Sequence, residues 1–549
     1  MRIKLLYIAI ISAVVIGLYA RVAENDFVGL DDTSLVVGNY SFLKDFSNAP
    51  KAFEQGVFQA QGKLDTEKTY YRPVMVLSLM LDAHFAPSES HISPEPFLWA
   101  NIFYHLLACI LLLLLFYALE INPLSALLLA LVFAVHPILL QAIAWVPGRN
   151  DSILTIFILA STLMLIKFTK SGKSLHVRLH LLLFAMALFT KENAIVFPLI
   201  ALFYLYKVNK VSVPRKNYLA LIIAYCIVAF LWFYIRHQAI AGGGAMIFHE
   251  AIKNLLVNAP MFFQYLGKSV IPIGLSVMST VSDTNYIIGI VAITLIVVGI
   301  VLSKQKNWTI IIFGLIWFFL FLTPSFLTLF SGLEHRDYLP IIGLLIVVSQ
   351  FDIIKNLQFK LAPILNGITL IITLGVILLL ASITYSREHI FKNPVTFNES
   401  AISTSPNAVL PCLYLARYYE ETKDYDKAID AYREALKRAP NSYMIHNDIS
   451  GDYIAMNKYS QAEAEVVKEL ALYPNNKLAV FNLGLINYTY GKDSVALVLW
   501  KQSIHIDPNF MDAYNLVASY YLQKGDSTDV MPYLQWLKTN GYPLPQPIR

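Results

Sequence analysis

The stretch from Phe97 to Leu119, FLWANIFYHLLACILLLLLFYAL, runs 23 residues without an Asp, Glu, Lys or Arg. A hydrocarbon layer of about 30 Å is crossed by roughly 20 apolar residues in a helix. Lipid satisfies no backbone N–H or C=O, so such a run reads as a spanning α-helix. Working outward, comparable runs lie at 3–20, 123–137, 151–168, 178–190, 193–207, 217–235, 286–303, 308–328, 338–351 and 362–385, which makes eleven. The expected fold class is all-α: a polytopic helix bundle of about eleven spans. The first run stands behind Arg2 and Lys4 and lacks a small-x-small ending, so it reads as a retained signal anchor.

Composition agrees. The 549 residues are 57% hydrophobic and 14% charged, against about 25% charged in soluble domains. The deficit is uneven. Residues 1–390 hold 27 Lys+Arg and 20 Asp+Glu, whereas 391–549 hold 15 and 17. The chain therefore divides into a membrane domain (1–390, with a first external loop at 21–96), a linker (391–408) and a soluble domain (409–549). The net charge of +5 comes with no basic patch interleaved with aromatics, which argues against nucleic acid as a partner. Cys109, Cys226 and Cys412 are too scattered for a disulfide framework or zinc cluster and read as buried small hydrophobes.

Orientation follows from Lys and Arg in short loops, which stay cytoplasmic. With the N-terminus inside, the clusters Lys167 to Arg178, Lys207 to Lys216, Lys304 with Lys306, and Lys355 with Lys360 all fall inside. An odd number of spans then puts 391–549 outside. Of the 27 basic residues before 391, 13 are external on this reading, against the rule.

Residues 409–542 repeat with a period of 34, the length of a tetratricopeptide helix-turn-helix unit. Ala428, Ala462, Ala496 and Val530 share one position, and Pro440, Pro474 and Pro508 another. Leu415, Ile449, Leu483 and Val517 hold a third, and Tyr419, Tyr453, Asn487 and Tyr521 a fourth. Small Ala positions let paired helices approach, and each Pro ends a helix. About three and a half to four units form an α-solenoid, which serves as a brace or as a concave groove for extended polypeptide.

The external face collects the unexplained ionisable residues. Asp31 and Asp32 follow the first span; His136 and then Arg149 and Asp151 form the second external turn. Lys191 and Glu192 interrupt an apolar stretch, and Glu334, Arg336 and Tyr338 close the turn after Pro324. Arg72 and Lys268 lie outside as well. Ionisable residues at membrane depth mark functional sites, although single Lys and Arg side chains also snorkel to headgroups. Cations facing a carboxylate suit an anionic lipid donor: the cations hold phosphate, and the carboxylate takes a proton from an incoming hydroxyl. Two adjacent Asp residues make a poor metal cage, so a divalent metal is possible but not favoured. Gly242-Gly243-Gly244 has no strand before it and no Lys-Ser/Thr after it, and reads as a turn. Residues 255–271, broken by Asn258, Pro260 and Lys268, read as a helix on the membrane surface.

At these residues the sequence resembles the transmembrane and TPR repeat-containing O-mannosyltransferases, and more distantly the GT-C glycosyltransferases. The matching pieces run in order: Asp31-Asp32, Tyr71-Arg72-Pro73-Val74, Asn101 with His105, Phe133 to Pro137, Trp145 to Asp151, Thr190-Lys191-Glu192, Tyr265-Leu266 leading to Pro272–Ser276, and Glu334 to Pro340. The chain departs from the pattern at Leu139–Gln141, where a second His and a Glu are usual, and at Asp337, where a bulky residue is commoner.

The resemblance implies a GT-C-like catalytic domain that transfers a sugar, with inversion, from a polyprenyl-phosphate donor to protein Ser/Thr on the external side. It makes Asp31 or Asp32 the base, with Asp32 preferred, and Glu192 an auxiliary catalytic residue. Arg149, Lys191 and Arg336, then Arg72 and Lys268, would hold the donor phosphate. His136, Asp151, Glu334 and Tyr338 would support them. The implied partners are the lipid-linked sugar, membrane lipids and an acceptor polypeptide in the repeat groove. Two other functions compete: transfer of a whole oligosaccharide from a pyrophosphate lipid, and a non-catalytic scaffold. Compact loops and a short repeat block lean towards a bacterial inner membrane with periplasmic repeats; in a eukaryote the membrane would be the endoplasmic reticulum.

Overall fold

The computed structural model describes residues 2–58, 70–86, 92–209, 214–240, 248–328, 332–357, 364–526 and 528–546. Gly242-Gly243-Gly244 lies outside them. The described residues are helical with no strand, and the extended pairing among them is an isolated bridge between Ser279 and Gly332. The chain divides into two units, Met1–Asn407 and Ala408–Arg549.

Six stretches of the first unit are long and apolar enough to cross a membrane: Lys4–Glu24, Glu95–Ala118, Val146–Ser171, Arg215–Ala239, Trp308–Leu327 and Gly367–Phe391. Pro123–Val135 and Pro137–Ala144 make a seventh if taken together, bent by 48°. The bend falls at His136-Pro137, where proline offers no N–H to the helical ladder. His136 caps the second piece, its Nδ1 accepting the Ile138 amide at 3.3 Å.

Of the eleven spans expected, six or seven are present as helices long and apolar enough to cross among the described residues. Runs 178–190 and 286–303 form the shorter helices Ser174–Thr190 and Tyr286–Leu302. Run 193–207 breaks into Glu192–Val196, Phe197–Phe203 and Tyr204–Val208, and run 338–351 yields only Ile341–Val348. The physical reason is that an apolar run is indifferent to what covers it. All but the last residue of Ile341–Val348 are buried by protein, so this helix has no need to match hydrocarbon thickness. Its close packing depends on glycine. A Cβ on Gly343 would lie 2.3 Å from the Gly314 carbonyl oxygen, so the helices Trp308–Leu322 and Ile341–Val348 meet backbone to backbone.

Outward surfaces are the reverse. The helix Arg215–Ala239 buries 17% of its spanning window and exposes Phe230 and Phe233. Cys226 lies on this helix and is exposed, which corrects the expectation of three buried cysteines; hydrocarbon, not protein, would cover it. The segment 391–408, expected as a linker, holds the helix Pro394–Thr404, capped by Asn393, and Ser405 Oγ lies 2.8 Å from Ser276 Oγ within the first unit.

The second unit is four helix pairs, the first being Leu410–Glu421 with Tyr425–Arg438 and the last Met511–Lys524 with Met531–Thr539. Ala428, Ala462 and Ala496 are fully buried at the close approaches. One cross-repeat contact explains the irregular fourth position. Arg433 donates to Tyr453 Oη, and 68 residues on Lys501 donates to Tyr521 Oη, both at 2.8 Å. In between, Val467 stands where the cation would be, and the tyrosine is Asn487, which donates to its own helix at Leu483 O instead.

Candidate active site at the helix ends

The carboxylate pair is held by a tight loop. Gly29 and Leu30 both adopt left-handed backbone, with φ 79 and 55. Glycine accepts this freely, whereas for leucine it costs about 1–2 kcal/mol. The loop turns the backbone so that Val28 N donates to Asp32 Oδ2 at 3.0 Å. Asp32 is 1% exposed, and its Oδ1 has no hydrogen-bond partner among the described residues. Burial pushes its carboxyl well above the ordinary range; the Val28 amide and the charge of Arg149 pull the other way. Asp31 is half-buried beside it.

The five nominated cations fall into two groups. Arg149 is fully buried and committed: Nη1 pairs with Asp82, Nη2 donates to Phe97 O at 2.7 Å and Nε to Val146 O at 3.3 Å. Lys191 Nζ lies 2.7 and 2.8 Å from the two Asp151 oxygens. Arg72 forks onto Glu192, at 2.7 Å from Nη2 and 3.3 Å from Nε. Burial alone would raise the Glu192 carboxyl, but this guanidinium holds it down at about 2.

Arg336 and Lys268 differ. Among the described residues Arg336 donates to neutral oxygens, Ser325 O at 3.0 Å and Thr328 Oγ1 at 3.3 Å. It still acts electrostatically on Asp151, Lys191 and His335. Lys268, on the helix Met261–Val270, is 7% exposed and makes no hydrogen bond or ion pair within 4 Å among the described residues. Burial lowers its ammonium to about 8, against the opposing pull of Glu334. Glu334 itself is spoken for by Arg387, with oxygens 3.0 and 3.2 Å from Nη2.

The ion pairs the structure forms here are Lys191 with Asp151, Arg72 with Glu192, Arg149 with Asp82 and Arg387 with Glu334. The charges of Arg72 and Arg336 also bear on Asp151 and Lys191, that of Glu334 on Lys268, and that of Arg149 on Asp32. Two other residues of the expected set, Tyr338 and His136, are buried. Tyr338 is fully buried, its hydroxyl 2.6 Å from His105 Nδ1 and its ring edge-on to Phe133. His136 is the buried cap already described. Asn101, in the same helix as His105, donates to Ile143 O and Trp145 O at 3.1 and 3.0 Å and so pins the second turn.

Sequence reasoning missed four participants. Asp82 neutralises Arg149, Arg387 neutralises Glu334, and Ser269 donates to the wholly buried Asp337, whose Oδ1 has no partner among the described residues. His335 is the fourth. Gln141 Nε2 donates to Val277 O at 3.0 Å, which turns Gln141 Oε1 towards the His335 amide and Nδ1, both at 3.1 Å. Nδ1 therefore carries the proton, and Nε2 faces Asp151 at 3.8 Å with its lone pair. Burial, then Lys191 and Arg336, lowers this imidazole well below its usual range and keeps it neutral. A carboxylate inside LMLDAHF signals Asp82, because an ion in an apolar helix needs a partner. Among the described residues no group of three or more His, Cys, Asp or Glu side chains is placed to hold a metal ion.

Fold and site together define a multi-pass helical membrane protein with buried ionic networks at its helix ends and a tetratricopeptide solenoid. Residues 409–442 match the tetratricopeptide repeat family. The chain is similar to the human protein O-mannosyl-transferase TMTC4, 28% identical over 225 residues that cover 37% of this chain and 30% of that protein. It is also similar to human protein O-mannosyl-transferase TMTC2, 26% identical over 106 residues covering 19% and 13%. It matches less than a third of the length of either relative. Among solved structures, one of MamA is 20% identical with a TM-score of 0.24, covering 26% of this chain and 88% of that one. The first TPR of Spaghetti (RPAP3) bound to an HSP90 peptide is 21% identical with a TM-score of 0.19, covering 20% and 86%. At these TM-scores the two structures add nothing to the repeat assignment.

Proposed function

We propose that the protein is an integral-membrane, GT-C-like glycosyltransferase that moves a sugar from a polyprenyl-phosphate donor to Ser or Thr hydroxyls of polypeptides, on the external (periplasmic or lumenal) side. The likeness to two human O-mannosyl-transferases supports the reaction class. The observation that carries the reading to these residues is the contrast among the cations. Arg149, Lys191 and Arg72 are neutralised by carboxylates, whereas Arg336 and Lys268 have no carboxylate within 4 Å among the described residues. A buried ammonium lacking a counter-ion is costly, and a phosphate monoanion or dianion is a ligand that would remove the cost.

In this reading Arg336 and Lys268 bind the donor phosphate, and the Lys191–Asp151 and Arg72–Glu192 pairs hold the surrounding field. Arg149 acts as framework and tunes Asp32 from a distance. Asp32, or Asp31 beside it, accepts the proton of the attacking hydroxyl. The hydroxyl oxygen bonds to the anomeric carbon from the face opposite the phosphate, the anomeric C–O bond breaks, and the polyprenyl phosphate leaves with the electron pair. Phosphate needs no strong acid to depart, so one base suffices. A carboxyl raised by burial is a better proton acceptor than a solvated one. The repeats would present the acceptor polypeptide.

The test is to incubate purified protein with defined polyprenyl-phosphate sugars and a Ser/Thr peptide, followed by intact mass. A single hexose increment supports the reading. A mass gain of several sugars at once would favour en bloc transfer, and no gain with any donor would favour a scaffold.

A further inference from the structure

Among the described residues a cavity of about 340 Å³ opens between three helices of the first unit. Its walls include Leu266 of Met261–Val270, then Ile293, Val297 and Ile300 of Tyr286–Leu302, and Leu315 and Phe319 of Trp308–Leu322. Its size is that of a ligand site, and no polar side chain lines it. A space with such walls holds no water and takes apolar ligands. It has a mouth, because Ile293 is 38% exposed, Val297 50% and Phe319 44%. Around a chain that spans a membrane, the mouth meets hydrocarbon.

Two glycine contacts fix the ends of this space. A Cβ on Gly289 would lie 2.7 Å from Phe263 O, and one on Gly299 would lie 2.5 Å from the Phe351 ring. The helix Tyr286–Leu302 is thus packed closely at two points ten residues apart, about 15 Å along its axis. Half of a hydrocarbon core of about 30 Å has the same length, so the space between suits one lipid chain.

Positive charge stands where that chain would end. Ile300 is about one helical turn from Lys304, in the turn that joins Tyr286–Leu302 to Trp308–Leu322. Lys306 donates to Ser303 O at 2.7 Å, and Lys355 donates to Gln305 O in the same turn. The local carboxylate, Asp352, is taken up by the backbone amides of Lys304 and Gln305, at 2.7 and 3.0 Å. None of the three lysines forms an ion pair within 4 Å among the described residues. Trp308 beside them is 58% exposed, as aromatic side chains are at a membrane–water boundary. The donor site proposed above lies elsewhere: Lys268 is turned about 200° from Leu266 around their helix and is buried on its other side.

We infer that the cavity and the lysine turn together bind one anionic glycerophospholipid of the bilayer, with an acyl chain in the cavity and the phosphodiester headgroup at Lys304, Lys306 and Lys355. The site is separate from the proposed donor site and does not depend on the transferase reading.

The experiment is native mass spectrometry of the full chain in detergent, titrated with dioleoyl phosphatidylglycerol or dioleoyl phosphatidylcholine. The first lipid adduct should form about tenfold more tightly with phosphatidylglycerol. Lys304→Gln with Lys306→Gln should remove that preference. Val297→Trp fills the mouth and should weaken both lipids about tenfold, whereas Leu295→Trp, equally exposed but about 200° away on the helix, should change neither. A phosphatidylglycerol carrying a diazirine in its acyl chain should label Tyr286–Leu302 or Trp308–Leu322 in the unaltered protein, a readout that needs no variant to fold. Equal affinity for the two lipids, unchanged binding in Val297→Trp, or labelling confined to other helices overturns the inference. So does one-for-one displacement of phosphatidylglycerol by a polyprenyl phosphate whose own binding is lost in Val297→Trp, because the cavity would then belong to the donor.

Discussion

Lys268 allows the proposed donor site to be tested through pH alone. Its ammonium is lowered from 10.5 to about 8 by burial. If phosphate binds the charged form, the competent fraction is about 90% at pH 7 and about 10% at pH 9, so affinity falls about tenfold across that window. The second ionisation of a phosphate ester lies near 6 and leaves the window clear. Stability moves the other way. Because the folded value lies below the unfolded one, the charged lysine costs the native state about 3 kcal/mol below pH 8. That cost fades as pH rises from 8 towards 10.5. Stability should therefore improve while binding weakens, a combination that general alkaline damage does not produce. Isothermal titration of a polyprenyl phosphate at pH 9, in two buffers of different ionisation enthalpy, should show uptake of nearly one proton, and at pH 7 almost none. Lys268→Arg should flatten the profile, since arginine stays charged. A profile flat from pH 7 to 9.5 in the unaltered protein, or an equal fall in Lys268→Arg, would refute the assignment.

Other outcomes follow from single contacts. Replacing Asp31 and Asp32 together by Asn should abolish glycan addition with protein level unchanged, and an unaltered glycoprotein profile would sink the enzyme reading. Asp82→Asn strands the fully buried Arg149 guanidinium; loss of one partner of a buried pair costs about 3–5 kcal/mol, readable as a fall in thermal midpoint in detergent. Gly343→Ala puts a methyl 2.3 Å from the Gly314 carbonyl oxygen and should cost about 1–3 kcal/mol, whereas Gly367→Ala, with open space around it, should be neutral in the same melt.

Much of the architecture is legible without coordinates. Six of the eleven apolar runs are helices of spanning length, and the 34-residue period marks the solenoid and even its irregular unit, where Asn487 and Val467 change together. The ionisable residues at the ends of those runs are likewise readable as a set, because charge next to hydrocarbon is conspicuous. Length is where reading fails. The run 338–351 is as apolar as a span, yet Ile341–Val348 lies inside protein.

Partnership is the other thing that sequence leaves open. Arg149, Lys191 and Arg336 look alike as basic residues in short turns, and only the fold assigns Arg149 to Asp82 across 67 residues and Lys191 to Asp151 across 40. The same holds for His335, whose tautomer is decided by Gln141 from 194 residues away. Hydrophobicity is a property each residue carries with it, so the chain by itself determines which segments leave water and which repeat. The free energy of a buried charge depends on what lies within a few ångströms. For that reason tertiary structure alone decided which cations are neutralised and which, Arg336 and Lys268, have no carboxylate partner among the described residues.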